Sequence, residues 1–336
     1  MNSGKDDVYL LKILSAVFFG LSSIGIVFVN KLILTNYGFP SYLFIGVGQM
    51  IATVVVIFGL KMCSVVSYPS LDWSTVRQIF PLPILYVMNL ITGLGGTQKL
   101  NLPMFTVMRR FSILMTMLGE YFILSIIPSK AVIISVILMI GGAVVAAIND
   151  LSFDLAGYVI ILLNDFFTAA NGVIMKKKLN AKDLGQYGLL FYNALFMLPL
   201  MLPLLVVSGE YQKAVAYHGW NDTSFLVLLL LSCIGGFILN YSIVLCTHYN
   251  SPLTTTCVGP IKNTVVTYLG MISSGDYFFS VANFAGINIS VFGGIIYAYV
   301  VFRTKRGNPA TTTKSIAVNP IKSTSTLVPP STAQDV

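Results

Sequence analysis

Arg109 and Arg110 stand inside the apolar run Phe105-Thr106-Val107-Met108-Arg109-Arg110-Phe111. Lys262 and Asn263 stand inside a second, Val258-Gly259-Pro260-Ile261-Lys262-Asn263. Lys31 closes a third run, Gly25-Ile26-Val27-Phe28-Val29-Asn30-Lys31. A cation near the centre of a membrane helix costs roughly 2.5–3.5 kcal/mol on insertion scales. The acids inside comparable runs are Glu120 and Asp165, two against these four cations. An anionic ligand would supply the missing charge. Arginine offers a planar fork suited to a phosphate, and lysine a compact point charge. The competing reading pairs the cations with Glu120 and Asp165 and lets Lys31 snorkel to the headgroups. Adjacent helical residues point about 100° apart, so Arg109 and Arg110 need not both face one cavity.

Other polar groups extend the candidate site. Gly259-Pro260 interrupts a helix just before Lys262, and a broken helix exposes backbone groups that bind ligands. Tyr192 and Asn193, in Phe191-Tyr192-Asn193, and Asn240, beside Tyr241, are side chains that read a base edge or a ribose and stack on a base. Interhelical hydrogen bonding is the plainer role for either pair. Catalysis would need a general base or metal-binding carboxylates. Glu120 and Asp165 have no metal-type spacing, and His218 and His248 lie in or near loops. Cys63, Cys233, Cys246 and Cys257 read mostly as small hydrophobes rather than a disulfide framework or metal site. The expectation is therefore no enzyme, no metal and no cofactor, with an integral-membrane glycosyltransferase as the weakest alternative.

These residues need a membrane to hold them. Of 336 residues, 56% are hydrophobic and 10% charged, with a mean hydropathy of +0.83. Soluble domains carry about a quarter charged residues. Runs of roughly 20 apolar residues predict spanning helices at about 9–32, 40–60, 79–97, 103–126, 130–149, 155–176, 185–208, 224–247, 252–273 and 279–302. Gly93-Leu94-Gly95-Gly96 loosens the third, and Gly259-Pro260 the ninth. The head, Met1–Asp7, is polar, and no cleavable signal peptide is expected.

With both termini cytosolic, fourteen lysines and arginines fall on the cytosolic side, while Lys99 and Lys213 fall opposite. That bias predicts N-in and C-in, and it explains the +8 charge without nucleic acid. It also accounts for Lys176-Lys177-Lys178 as a helix edge. Asn221-Asp222-Thr223 is a glycosylation sequon in a loop expected to face the lumen or exterior. Asn288-Ile289-Ser290 also fits the pattern but lies inside the last span. Residues 307–336, rich in Thr, Ser and Pro, predict a disordered cytosolic tail.

Gly25-Ile26-Val27-Phe28-Val29-Asn30-Lys31-Leu32 resembles Gly172-Val173-Ile174-Met175-Lys176-Lys177-Lys178-Leu179, and Asn101-Leu102-Pro103 resembles Asn250-Ser251-Pro252. The fold predicted is all-α integral membrane, with ten transmembrane helices in two inverted five-helix repeats. Residues 1–8 form a cytosolic N-terminal segment, 9–149 the first repeat and 150–306 the second. Inverted repeats are a common plan for secondary transporters, with substrate held near the midplane.

Pro103-Met104-Phe105-Thr106-Val107-Met108-Arg109-Arg110-Phe111-Ser112-Ile113-Leu114, Phe191-Tyr192-Asn193 and Gly259-Pro260-Ile261-Lys262-Asn263 together resemble the nucleotide-sugar transporters of the drug/metabolite transporter superfamily. The nearest likeness is to solute carrier family 35, subfamily D, the UDP-sugar carriers of the Golgi and endoplasmic reticulum, over about residues 8–305. The resemblance implies exchange of a cytosolic UDP-sugar for lumenal UMP across a Golgi or endoplasmic reticulum membrane. It also implies nucleotide contacts by Tyr192 and Asn193, phosphate and sugar contacts by Lys262 and Asn263, and Arg109 in the cavity. GDP-mannose transporters of the family read Phe-Tyr-Asn-Asn where this chain ends in Ala194, and Gly-Ala-Leu-Asn-Lys where Lys262 and Asn263 are exchanged. Those departures favour uracil over guanine. A GDP-sugar carrier and a triose-phosphate or phosphoenolpyruvate carrier on the same fold are the alternatives. A homodimer is the assembly expected beyond the bilayer itself.

Overall fold

In the computed structural model, residues 3–99, 108–146, 155–181, 184–259 and 281–303 are described. Lys262 and Asn263 lie outside them, as does the tail 307–336. Among the described residues every regular element is helical. Lipid requires this, because a helix meets its backbone hydrogen bonds within one segment. The helices are α1 (Ser3–Lys31), α2 (Tyr42–Met62), α3 (Trp73–Ile79), α4 (Leu82–Lys99), α5 (Phe111–Leu124), α6 (Lys130–Ala146), α7 (Leu155–Ala181), α8 (Gly185–Val207), α9 (Glu210–Val215), α10 (Thr223–Tyr249), α11 (252–259) and α12 (Val281–Arg303). Six apolar segments are long enough to cross a membrane, on α1, α2, α7, α8, α10 and α12, and α5 and α6 are shorter apolar helices. The chain is a multi-pass membrane protein.

The exposed belt is apolar, with Phe122 74% exposed, Ile137 62% and Leu230 61%. The interior holds Arg110, Glu120, Asn164 and Asp165. An apolar outer surface around an interior that includes charged and polar side chains matches a hydrocarbon solvent.

Local chemistry sets several boundaries. Ser41 Oγ accepts from the Phe44 N–H at 3.1 Å and starts α2. Asp222 accepts from the Ser224 N–H at 2.8 Å and starts α10. The third expected span, about 79–97, begins slightly later as α4 at Leu82: the short α3 ends at Ile79, just before Phe80-Pro81, and proline lacks the N–H that would continue it. Against expectation, α4 runs unbroken through Gly93-Leu94-Gly95-Gly96. Gly93 has a packing reason, because a Cβ there would stand 3.0 Å from the Asn164 amide.

The fourth expected span departs most. Met108 is helical, Arg109 and Arg110 form a turn, and the α-helix starts at Phe111. The arginines therefore precede a helix N-terminus instead of riding within a continuous helix.

Helix α6 packs tightly on α12. A Cβ on Gly142 would come within 3 Å of the Ser290 and Gly286 backbone, and one on Gly286 within 3 Å of Ala146 and Gly142. Small residues at a membrane helix interface let backbones approach this closely.

Two charges assigned elsewhere by the sequence prove to be helix caps. Glu120, buried in α5, accepts from the Leu253 N–H at 2.6 Å at the start of α11. Lys176 is more than a positive edge. Its Nζ donates to the carbonyls of Thr247, His248 and Asn250 at 2.8, 2.7 and 2.8 Å, at the C-terminal end of α10. A cation there meets carbonyls that a helix C-terminus leaves unpaired. Lys176→Met should destabilise by about 1–3 kcal/mol, read as a melting midpoint several degrees lower in detergent. An unchanged midpoint would mean that those carbonyls are met without the ammonium.

Candidate functional site

Helix α7 carries the floor of the site. Asn164, Thr168, Asn171 and Met175 recur at spacings of three and four, which places them on one face. That face meets α4. Asn164 Nδ2 donates to Asn89 Oδ1 at 2.9 Å and to Thr92 Oγ1 at 3.2 Å, and Thr168 Oγ1 donates to Asn89 Oδ1 at 2.6 Å. An amide and hydroxyl ladder therefore locks α7 to α4 beneath the cavity.

The turn before α5 brings both arginines to this ladder. Arg109 Nη1 donates to Asp165 Oδ1 at 3.3 Å, to Thr168 Oγ1 at 3.0 Å and to Asn164 Oδ1. Its side chain is 34% exposed, while that of Asp165 is fully buried. Arg110 donates to Ser290 Oγ, and Ser290 donates onward to the Met139 carbonyl at 3.0 Å. Arg109 and Asp165 form an ion pair, and among the described residues Arg110 has no carboxylate beside it. Asp165 answers Arg109, and Glu120 accepts from the backbone at the start of α11.

Both arginines line a cavity of about 430 Å³ together with Tyr86, Asn89, Thr168, Asn171, Thr247, Thr255, Thr256 and Gly259. No carboxylate is among the described residues on its wall. A helix N-terminus, two guanidinium groups and several hydroxyls form a surface for an anion.

A narrower recess of about 60 Å³ adjoins it, with Tyr86, Asn171, Met175 and Ile243 on both walls. Asn193 and Asn240 lie in this recess, between Met50, Leu189, Ala194 and Met197. Asn171 Oδ1 and Asn193 Oδ1 are buried and meet no hydrogen-bond donor.

Of the residues singled out in the sequence, Arg109, Arg110 and Gly259 are thus brought to the cavity, and Asn193 and Asn240 to the recess. Tyr192 is not. It is 2% exposed, packed against Tyr68 and Phe196, and its hydroxyl donates to the Pro69 carbonyl at 2.6 Å. It anchors the 63–72 loop over the start of α8, because its place on the helix turns it away from Asn193. Lys31 is also absent from the cavity; it is exposed at the end of α1, where a long cation reaches the interface. Lys262 and Asn263 lie outside the described residues. The sequence reading missed Asn171, Asn89 and Thr168, although the Asn164-Thr168-Asn171 spacing was there to be found.

A family model described as Triose-phosphate Transporter family matches residues 10–298. The UDP-sugar transporter sqv-7 of Caenorhabditis elegans is 61% identical over 296 residues, 88% of this chain and 90% of that protein. The nucleotide sugar transporter SLC35D2 of Homo sapiens is 48% identical over 294 residues, 88% of this chain and 87% of that protein. A solved crystal structure, 12% identical, superposes with a TM-score of 0.63 over 88% of this chain and 99% of its own, a likeness of fold alone.

Proposed function

Because the chain belongs to the Triose-phosphate Transporter family, we propose that it carries a UDP-sugar from the cytosol into the Golgi or endoplasmic reticulum lumen in exchange for UMP. The observation that carries this reading is a cavity inside a membrane bundle with two guanidinium groups and no described carboxylate on its wall, opening to an amide-lined recess. On this reading the phosphates bind beside Arg109 and Arg110, Lys262 and Asn263 are proposed as further phosphate and sugar contacts on the sequence resemblance alone, and the base occupies the recess beside Asn193 and Asn240. A triose phosphate would leave that recess without a purpose. The names of the relatives, UDP-sugar transporter and nucleotide sugar transporter, point the same way.

The proposed architecture is ten helices in two inverted repeats, and the packing supports it. Helix α1 lies on α10 as α7 lies on α4, and α2 meets α10 as α8 meets α4. The pairs α2–α8 and α6–α12 map onto themselves when the halves are exchanged. This is the pattern a two-fold between halves produces. Transport then follows from rocking one half against the other about the midplane site. Both termini are proposed to be cytosolic, on the lysine and arginine bias.

Exchange needs no separate ion. Arg110 has no carboxylate beside it among the described residues, so the empty carrier holds a charge that a bound phosphate would match, and the loaded form crosses over more readily. In proteoliposomes, UDP-sugar uptake into UMP-loaded vesicles should exceed uptake into empty ones by at least about tenfold, as expected for a barrier difference near 1.4 kcal/mol. Equal uptake would overturn obligatory exchange and leave a uniporter.

A further inference from the structure

Asn171 has no part in the phosphate or base contacts proposed for the carrier, yet its position is specific. It stands on α7 at the junction of the two spaces and lines both the 430 Å³ cavity and the 60 Å³ recess. The guanidinium groups of Arg109 and Arg110 lie in the first space, and Asn193 and Asn240 in the second. Any ligand with a phosphate in one and a base in the other must pass its middle beside Asn171.

In a nucleotide that middle is the ribose, whose 2′- and 3′-hydroxyls are both donors and acceptors. Asn171 Oδ1 is buried and receives no hydrogen bond, although its neighbours on the same helix face, Asn164 and Thr168, are fully engaged with α4. A buried acceptor without a donor is costly, and few such groups occur in native proteins. Within the described residues this condition is shared by Asn193 Oδ1, in the recess, and Asp165 Oδ2. Packing does not demand an amide at 171: its side chain bonds no other helix among the described residues, so a small apolar residue would fill the wall without cost.

We propose that Asn171 accepts a hydrogen bond from a ribose hydroxyl of the bound nucleotide, so that the carrier selects ribonucleotides over 2′-deoxyribonucleotides. The inference rests on the nucleotide reading of the cavity and adds a selecting residue to it. A site built to bond a hydroxyl rejects an analogue that lacks it, because the protein acceptor is then left buried and unmet. A contact to the 2′-hydroxyl bears directly on that choice, whereas one to the 3′-hydroxyl alone would not.

The test is competition of UDP-sugar uptake by UMP and by 2′-deoxy-UMP in proteoliposomes bearing wild type, Asn171→Ala and Asn171→Ser. Wild type should prefer UMP by about tenfold or more, the scale of one hydrogen bond lost to a buried acceptor. Asn171→Ala should bind UMP as weakly as 2′-deoxy-UMP while leaving 2′-deoxy-UMP unchanged. Asn171→Ser, which keeps a shorter polar group, should fall between. Equal competition by the two nucleotides in wild type would overturn the proposal without any variant. So would an Asn171→Ala protein that weakens both equally, because that marks general damage to the cavity. Failure of wild type to respond to either nucleotide would instead sink the nucleotide reading, and this inference with it.

Discussion

Alanine at Arg110 should lower UDP-sugar uptake by at least about 100-fold without lowering the melting temperature of the protein. A hydrogen bond to a charged group contributes roughly 1.5–3 kcal/mol, and a phosphate on this guanidinium would use two such bonds. Each 1.4 kcal/mol is tenfold, so losses of two orders of magnitude or more follow. The stability half of the expectation comes from burial. Arg110 is 8% exposed, bonded to the Ser290 hydroxyl, and has no described carboxylate beside it. Removing a buried cation that no described carboxylate offsets relieves the protein of its desolvation cost.

Arg109 provides the contrast. Its removal would strand Asp165, whose Oδ2 already lacks a partner, and should therefore lower stability and transport together. Thermal unfolding in detergent beside vesicle uptake separates the two cases. Normal uptake by Arg110→Ala would show that this arginine only pins α12 through Ser290.

The reach of the sequence differed by kind of residue. Apolar run length reports the solvent of a helix, so a multi-pass helical membrane protein was legible at once, and the helix bounds near 42, 185 and 223 came within a few residues. Charges in apolar runs are costly enough to announce a function, which is why Arg109 and Arg110 stood out. What a run cannot report is which way a residue turns. Tyr192 and Asn193 are adjacent, yet one bonds the Pro69 carbonyl and the other lines the recess. The turn at Arg109-Arg110 was hidden for a related reason: it is held by contacts to Asp165 and Ser290, 56 and 180 residues away. Lys176 looked like an ordinary flanking lysine because its partners are carbonyls, which carry no sequence mark. Asn171 needed the periodicity of α7 to be read for polar rather than apolar residues.

Leucine at Gly142 should leave almost no folded protein, whereas leucine at Gly141 should be nearly silent. The two glycines are neighbours on α6, so helix propensity and the change in volume are the same for both. Their surroundings differ. Nothing lies within 4 Å of a Cβ built on Gly141, which faces outward where lipid is the solvent. A Cβ on Gly142 would meet the backbone of Ser290 and Gly286 at under 3 Å. Backbone atoms cannot turn aside as a side chain can, so the helices must separate, and Gly293 and Gly286 lose their close contacts with α6 at the same time. Overpacking costs typically about 1–3 kcal/mol and more where no rotamer relieves it. The measurement is the fraction of monodisperse protein after detergent extraction, and comparable recovery of both variants would refute the packing. Alanine at Gly142 makes the same point more gently and ties it to transport. Ser290 is both the backbone that this methyl would push and the hydroxyl that holds Arg110. A Gly142→Ala protein that still folds should therefore transport less well than one carrying Gly141→Ala, because the joint that lets α6 and α12 touch also sets the position of Arg110, the arginine proposed to bind the anion.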